Sequence, residues 1–143
     1  MTVARGFATA AMFAGIAIGT ASTAWADTTM MSGHYIDTEI SPSGKSGINE
    51  WYFTPCGDGC ASVVNIANWI QSQARLVNGQ WTMDTTGDAV CADGSVVPKA
   101  LSDHYTWDPN TLAGTVQLSA NVPACGYPLR ETMTNDIQFR QAP

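Results

Sequence analysis

From residue 33 onward the chain lacks the three-to-four-residue apolar spacing of helices. It alternates in short runs broken by turn residues, the pattern of antiparallel strands with one buried face. Over residues 34–40, Ile36 and Ile40 fall on one side and Tyr35, Asp37 and Glu39 on the other, which reads the two acids as ordinary solvated side chains. Pro42-Ser43-Gly44 ends this run, and residues 48–54 follow with Trp51 and Phe53 sharing a face. A Gly-rich reversal between Cys56 and Cys60 returns the chain into residues 61–67. Residues 70–77 alternate Ile70, Ser72, Ala74 and Leu76 against Gln71, Gln73, Arg75 and Val77. Asn78-Gly79 is the strongest hairpin signal in the chain, and Trp81 and Met83 face together after it.

Residues 85–98 read as a looser region. Tyr105 and Trp107 then pair on a strand at 103–107, and Asp108-Pro109-Asn110 makes a turn with proline at its favoured position. Residues 112–118 place Leu112, Gly114, Val116 and Leu118 inward, and a last strand over 129–140 puts Leu129, Met133, Ile137 and Phe139 on one face. About eight short strands with tight connections predict an all-β, up-and-down meander that closes as a small barrel, which removes exposed edges; a two-sheet sandwich is the alternative.

The first 26 residues have a different character. Arg5 supplies a positive start, residues 6–20 carry no charge, and Ala24-Trp25-Ala26 offers small residues at a cleavage site. This is the signature of a secretory signal peptide, and the run is too short and too rich in small residues for a membrane anchor. Cleavage after about Ala26 leaves 27–143 as one domain, with no integral membrane segment expected afterwards. The chain's formal charge is −6; Arg5 is the one ionised side chain lost, so the mature charge is −7. Such a surface argues against nucleic acid as a partner.

Export changes the reading of the cysteines. Cys56, Cys60, Cys91 and Cys125 all lie in the mature part, and four cysteines in an oxidising compartment imply two disulfides with three possible pairings. Cys56–Cys60 with Cys91–Cys125 is favoured, because the Gly-rich reversal brings the first two within bridging range. Loop closure ranks the longer bridge above the shorter, about 4 against about 2 kcal/mol. Two thiolates alone are half a zinc shell, so no metal and no cofactor is expected.

Candidate chemistry is sparse. The chain has no Gly-x-Ser-x-Gly elbow, no His-Glu-x-x-His and no Gly-rich phosphate loop. Its two histidines, His34 and His104, each precede a tyrosine and read as surface residues. Asp84, Asp88 and Asp93 crowd one region, but their spacing misses the EF-hand pattern. The aromatic residues are the richest set. Trp51, Trp81, Trp107 and Tyr105 fall on predicted inner faces, where they either fill the core or line a cup for a small apolar ligand. Trp69, in a turn-like stretch, is a candidate contact for a partner protein.

The expected function is a non-catalytic binding or interaction module outside the cell or at its envelope, taking an envelope or extracellular protein or a small apolar ligand. The alternative is a secreted hydrolase built on His104 and a nearby carboxylate.

The segments Trp51-Tyr52-Phe53-Thr54-Pro55-Cys56-Gly57-Asp58-Gly59-Cys60 and Tyr105-Thr106-Trp107-Asp108-Pro109, with Leu112-Ala113-Gly114, resemble stretches of small secreted proteins of mycobacteria and related actinobacteria. The resemblance runs over about residues 33–140 and implies export and the same cysteine pairing. Its motifs are turns, cysteines and aromatics, so it implies no catalytic residue. The Gly33-x-Tyr35 opening is also similar to the start of lipocalin-like barrels, where a Trp usually stands in place of Tyr35.

Overall fold

A computed structural model describes residues 30–143 apart from Tyr127, so the segment read as an export signal lies outside the described residues. Eight strands follow in order: β1 (Gly33–Ile40), β2 (Ser46–Gly57), β3 (Cys60–Asn65), β4 (Gln71–Val77), β5 (Gln80–Val90), β6 (Val96–Trp107), β7 (Ala113–Ala120) and β8 (Thr132–Gln141). Each pairs antiparallel with its neighbours in sequence, and β8 pairs with β1, Asp37 opposite Phe139, closing the barrel.

The connections divide the barrel into two ends. At the lower end the turns are tight. Asn78 and Gly79 both adopt positive φ, 50° and 79°, as the primed hairpin turn requires. The Asp108 carboxylate accepts the Asn110 and Thr111 N–H groups at 2.7 and 2.8 Å, holding the β6–β7 turn. The upper end carries the longer connections at 41–45, 66–70, 91–95 and 121–131. Cys56–Cys60 staples the lower β2–β3 hairpin, and Cys91–Cys125 ties the upper β5–β6 turn to the β7–β8 loop. The expected pairing is therefore present.

Three strand readings change. Residues 85–98 are not loose. β5 and β6 continue through them as one long hairpin around the Asp93-Gly94 turn, with a bulge between Gly87 and Ala89. The bulge is held by Asp88, whose Oδ1 accepts the Lys99 N–H at 2.8 Å. β8 begins at Thr132, and Leu129 lies exposed in the preceding turn.

The third change is the orientation of β1. Tyr35 pairs with Trp51 and Asp37 with Asn49, which turns Tyr35, Asp37 and Glu39 inward and leaves Ile40 exposed. The register across two neighbours decides the facing, and it overrides the hydropathy of β1 taken alone.

The lower interior is closely packed. Trp81 and Trp107 stack at 6.3 Å between ring centroids, and Trp107 lies 4.9 Å from Phe139. Phe53 meets Phe139 and Tyr35 edge to face at 5.8 and 5.4 Å. Met31, just before β1, is fully buried in the same cluster, so the incoming chain covers this end. Gly114 sits opposite Trp107, and a Cβ there would fall 1.9 Å from the Thr106 carbonyl oxygen, so only glycine allows this approach.

The exterior is wet. β4 presents Gln71, Gln73 and Arg75 outward, and β8 presents Thr134, Asp136, Gln138 and Arg140. This is the reverse of the apolar outer band on barrels that cross a bilayer. Among the described residues no helix is long and apolar enough to cross a membrane.

Candidate functional site in the upper barrel interior

The upper half of the interior has a different chemistry. β1 contributes Asp37 and Glu39, β2 Asn49, β5 Thr85, β6 Asp103 and Tyr105, and β8 Asn135. Glu39 is the hub. Its Oε1 accepts from the Asn49 amide at 2.7 Å and from the Tyr105 hydroxyl at 3.1 Å, and its Oε2 accepts from the Asn135 amide at 3.3 Å. Asp103 accepts a long bond from the Thr85 hydroxyl at 3.4 Å.

Asp37 has no such support. It is 0 % exposed, and neither carboxyl oxygen has a hydrogen-bond partner among the described residues. Asn49, one amide N–H of which is given to Glu39, is the one neighbour that acts to lower its pKa. Burial, and then the charge of Glu39, push Asp37 up to about 8. The same two causes in the same order raise Asp103 to about 6. Tyr105 is also raised, first by burial and then by the surrounding carboxylates, so it stays a donor.

Hydrogen-bonding capacity is unbalanced here. Both Asp37 oxygens, Asp103 Oδ1 and Asn135 Oδ1 are buried acceptors without partners. On the donor side Trp51 Nε1 is unpartnered, on a ring 5.8 Å from Tyr105. Buried polar groups normally find partners, because an unmet one costs about 1–3 kcal/mol and a charged one more.

Above this cluster lies a cavity of about 650 Å³ at the mouth. Leu101, Leu118 and Met133 form its inward wall, with Ala120 and Ala124 beside the Cys91–Cys125 bridge. Leu101 stands one inward position above Asp103 on β6, and Met133 one above Asn135 on β8, so along these two strands the cavity lining adjoins the polar cluster, although none of the cluster's acids lines the cavity itself. Lys45 and Glu131 sit on its rim with opposite charges. A second cavity of about 420 Å³ lies on the flank. β4 pairs with β5 only from Ala74 to Val77, and where the two part, Thr85 and Asp103 line the gap with Ile70 and Gln71.

The aromatic residues read as a possible cup divide between the halves. Trp81 and Trp107 are 0 % exposed and lie in the aromatic stack. Trp51 and Tyr105 pack edge to face and form the floor of the polar half. Trp69 is 74 % exposed, with φ of 59° in the upper β3–β4 turn.

The histidines lie outside the barrel. His34 pairs with Glu50 at 2.9 Å. His104 Nδ1 is 2.6 Å from Asp84 across β5 and β6, with Thr106 Oγ1 3.4 Å from Nε2. Asp84, Asp88 and Asp93 do separate jobs: Asp84 meets His104, Asp88 holds the bulge, and Asp93 caps Ser95. Among the described residues no group of three or more His, Cys, Asp or Glu is placed to hold a metal ion.

Sequence reasoning passed over Asp37, Glu39, Asn49, Asp103 and Asn135 as functional residues. A signal was available. The inner parity set by Trp51 and Phe53 runs through Asn49, that of Trp107 and Tyr105 through Asp103, and that of Phe139 and Ile137 through Asn135. Each inner face therefore turns polar toward the same end of the barrel. Comparison with protein-family models, curated proteins and solved structures finds no match.

Proposed function

We propose that the protein is a non-catalytic binding module that takes a small molecule into the upper half of its barrel through the mouth. The observation that carries this reading is Asp37, a fully buried carboxyl with no partner, in the barrel half whose mouth holds an apolar cavity. Ligand sites pair an apolar wall with a few convergent polar groups, often at a barrel mouth. Leu101, Leu118 and Met133 supply the wall, and Asp37, Glu39, Asp103 and Asn135 the polar groups. The floor of Trp51 and Tyr105 retains the sequence-based expectation of aromatic contact with an apolar body. The two disulfides are consistent with an extracellular location, which supports the reading of residues 1–26 as an export signal.

The hydrolase alternative has less support. His104 and Asp84 line the flank cavity with Asp103, but their side chains are 52 % and 83 % exposed. His104 is paired on both sides, to Asp84 and Gln117, so backbone N–H groups here serve the ladders and do not converge on an oxyanion.

The test is an NMR titration with a mixed panel of small amphiphiles that are cationic, neutral and anionic. Binding is expected to shift the Trp51 indole, Tyr105 and Asn135 signals. Shifts confined to exterior residues, or none with any compound, would remove the proposal.

A further inference from the structure

We infer that the ligand is a hydrophobic amine, its cationic head on Asp37, Glu39 and Asp103 and its apolar body in the mouth cavity. The inference rests on the binding reading above and adds the chemical class.

Donors and acceptors are mismatched here. Once Asp37 and Asp103 are ionised, four buried acceptor atoms, on Asp37, Asp103 and Asn135, lack partners around a Glu39 that already accepts three bonds. Asn135 makes the direction plain. It is 7 % exposed, its N–H reaches Glu39, and its carbonyl oxygen is the unpartnered atom. An ammonium group has three donors and no acceptor, which complements this set; a carboxylate or phosphate would add acceptors where acceptors are in surplus.

Charge points the same way. Three carboxyls face the interior, and the other side chains turned toward them (Asn49 on β2, Thr85 on β5, Tyr105 on β6 and Asn135 on β8) carry no positive charge. Lys45 lines the mouth cavity and not the polar cluster, and Glu131, of opposite sign, lines the same cavity. Charge pairing is stronger in a desolvated interior than in water, and because Asp37 is already buried without a partner, an incoming cation has only its own desolvation left to offset.

The body of the ligand follows from the cavity. Leu101, Leu118, Met133 and the alanines form an apolar wall at the mouth, Leu101 one inward position from Asp103 on β6 and Met133 one from Asn135 on β8. A free inorganic cation could not use this wall.

Binding a cation favours the ionised carboxyls, so it expels protons held by Asp37 and Asp103. Near neutral pH, proton release is expected to come mainly from Asp37, and affinity is expected to fall as pH is lowered from about 8 to about 5.

The experiment uses the full mature domain and isothermal titration with octylamine, octanol, octanoate and calcium chloride. Octylamine is expected to bind at least tenfold tighter than octanol or octanoate at pH 8. It should weaken at least tenfold at pH 5 and release protons, read from the heats in two buffers of different ionisation enthalpy. Glu39→Gln should lower octylamine affinity at least tenfold and spare octanol; because proton release is read on the unaltered protein, a variant that fails to fold leaves the test intact. Octanol binding as tightly as octylamine overturns the inference and leaves the binding reading standing. Calcium competing with octylamine at equal concentration overturns it in favour of a metal site. If none of the four binds, both fall.

Discussion

The two halves of one barrel interior are built from the same strands by opposite rules. In the lower half Trp81, Trp107, Phe53 and Phe139 pack ring against ring, and their burial stabilises the fold although the Trp81 and Trp107 indole N–H groups lack partners. In the upper half the same alternation delivers carboxyls and amides to the inside, where burial without partners costs stability. Under the proposed function, a ligand would supply the partners this half lacks. Activity sites are where local rules of foldability are broken.

The contrast can be broken most forcefully from below. Trp107→Ala removes the ring that touches Trp81, Phe53 and Phe139, and should cost about 3–5 kcal/mol in urea unfolding. The disulfides rank next. Replacing Cys91 and Cys125 by Ser should cost up to about 4 kcal/mol, against about 2 for Cys56 and Cys60, because the first pair closes a separation of 34 residues and the second only 4. Loss of the longer bridge should also weaken ligand binding, since it walls the cavity; equal losses from both pairs would count against a separate role for the mouth.

Asp37→Asn should act with the opposite sign. The folded protein holds the Asp37 proton up to about pH 8, whereas the unfolded chain releases it near the ordinary aspartate value of 3.8. The native state therefore binds more protons between these values, and stability falls as pH rises through them, by at most about 1.4 kcal/mol per pH unit for one proton. The asparagine variant cannot ionise there, so it should gain stability at pH 8 relative to the parent and little at pH 4; thermal unfolding across that range reads the difference.

The smallest effect belongs to the outer face. His104→Ala breaks an exposed pair with Asp84 and should change stability by no more than about 0.5 kcal/mol. It should also leave amine binding unchanged, whereas loss of an ester-hydrolysing activity in this variant would restore the hydrolase alternative.

The barrel was legible because turns and aromatics mark its strands. Asn78-Gly79 fixed one hairpin, Trp81 with Met83 and Tyr105 with Trp107 fixed the inner faces, and the Gly-rich reversal paired Cys56 with Cys60. The site was not, because β1 taken alone offers two isoleucines against two acids. Its true facing comes from cross-strand register, Tyr35 opposite Trp51 and Asp37 opposite Phe139, which is a property of the closed sheet. The long β5–β6 hairpin was missed for a related reason. The bulge at Gly87–Ala89 interrupts the alternation, so a continuous strand looks irregular in sequence.

The central claim is that the upper interior holds carboxyls the protein itself leaves unsatisfied. The most direct measurement is a carbon-13 NMR titration of the side-chain carboxyl carbons in the ligand-free protein. Asp37 should titrate near 8 and Asp103 near 6. Both carbons titrating in the ordinary aspartate range near 4 would contradict it.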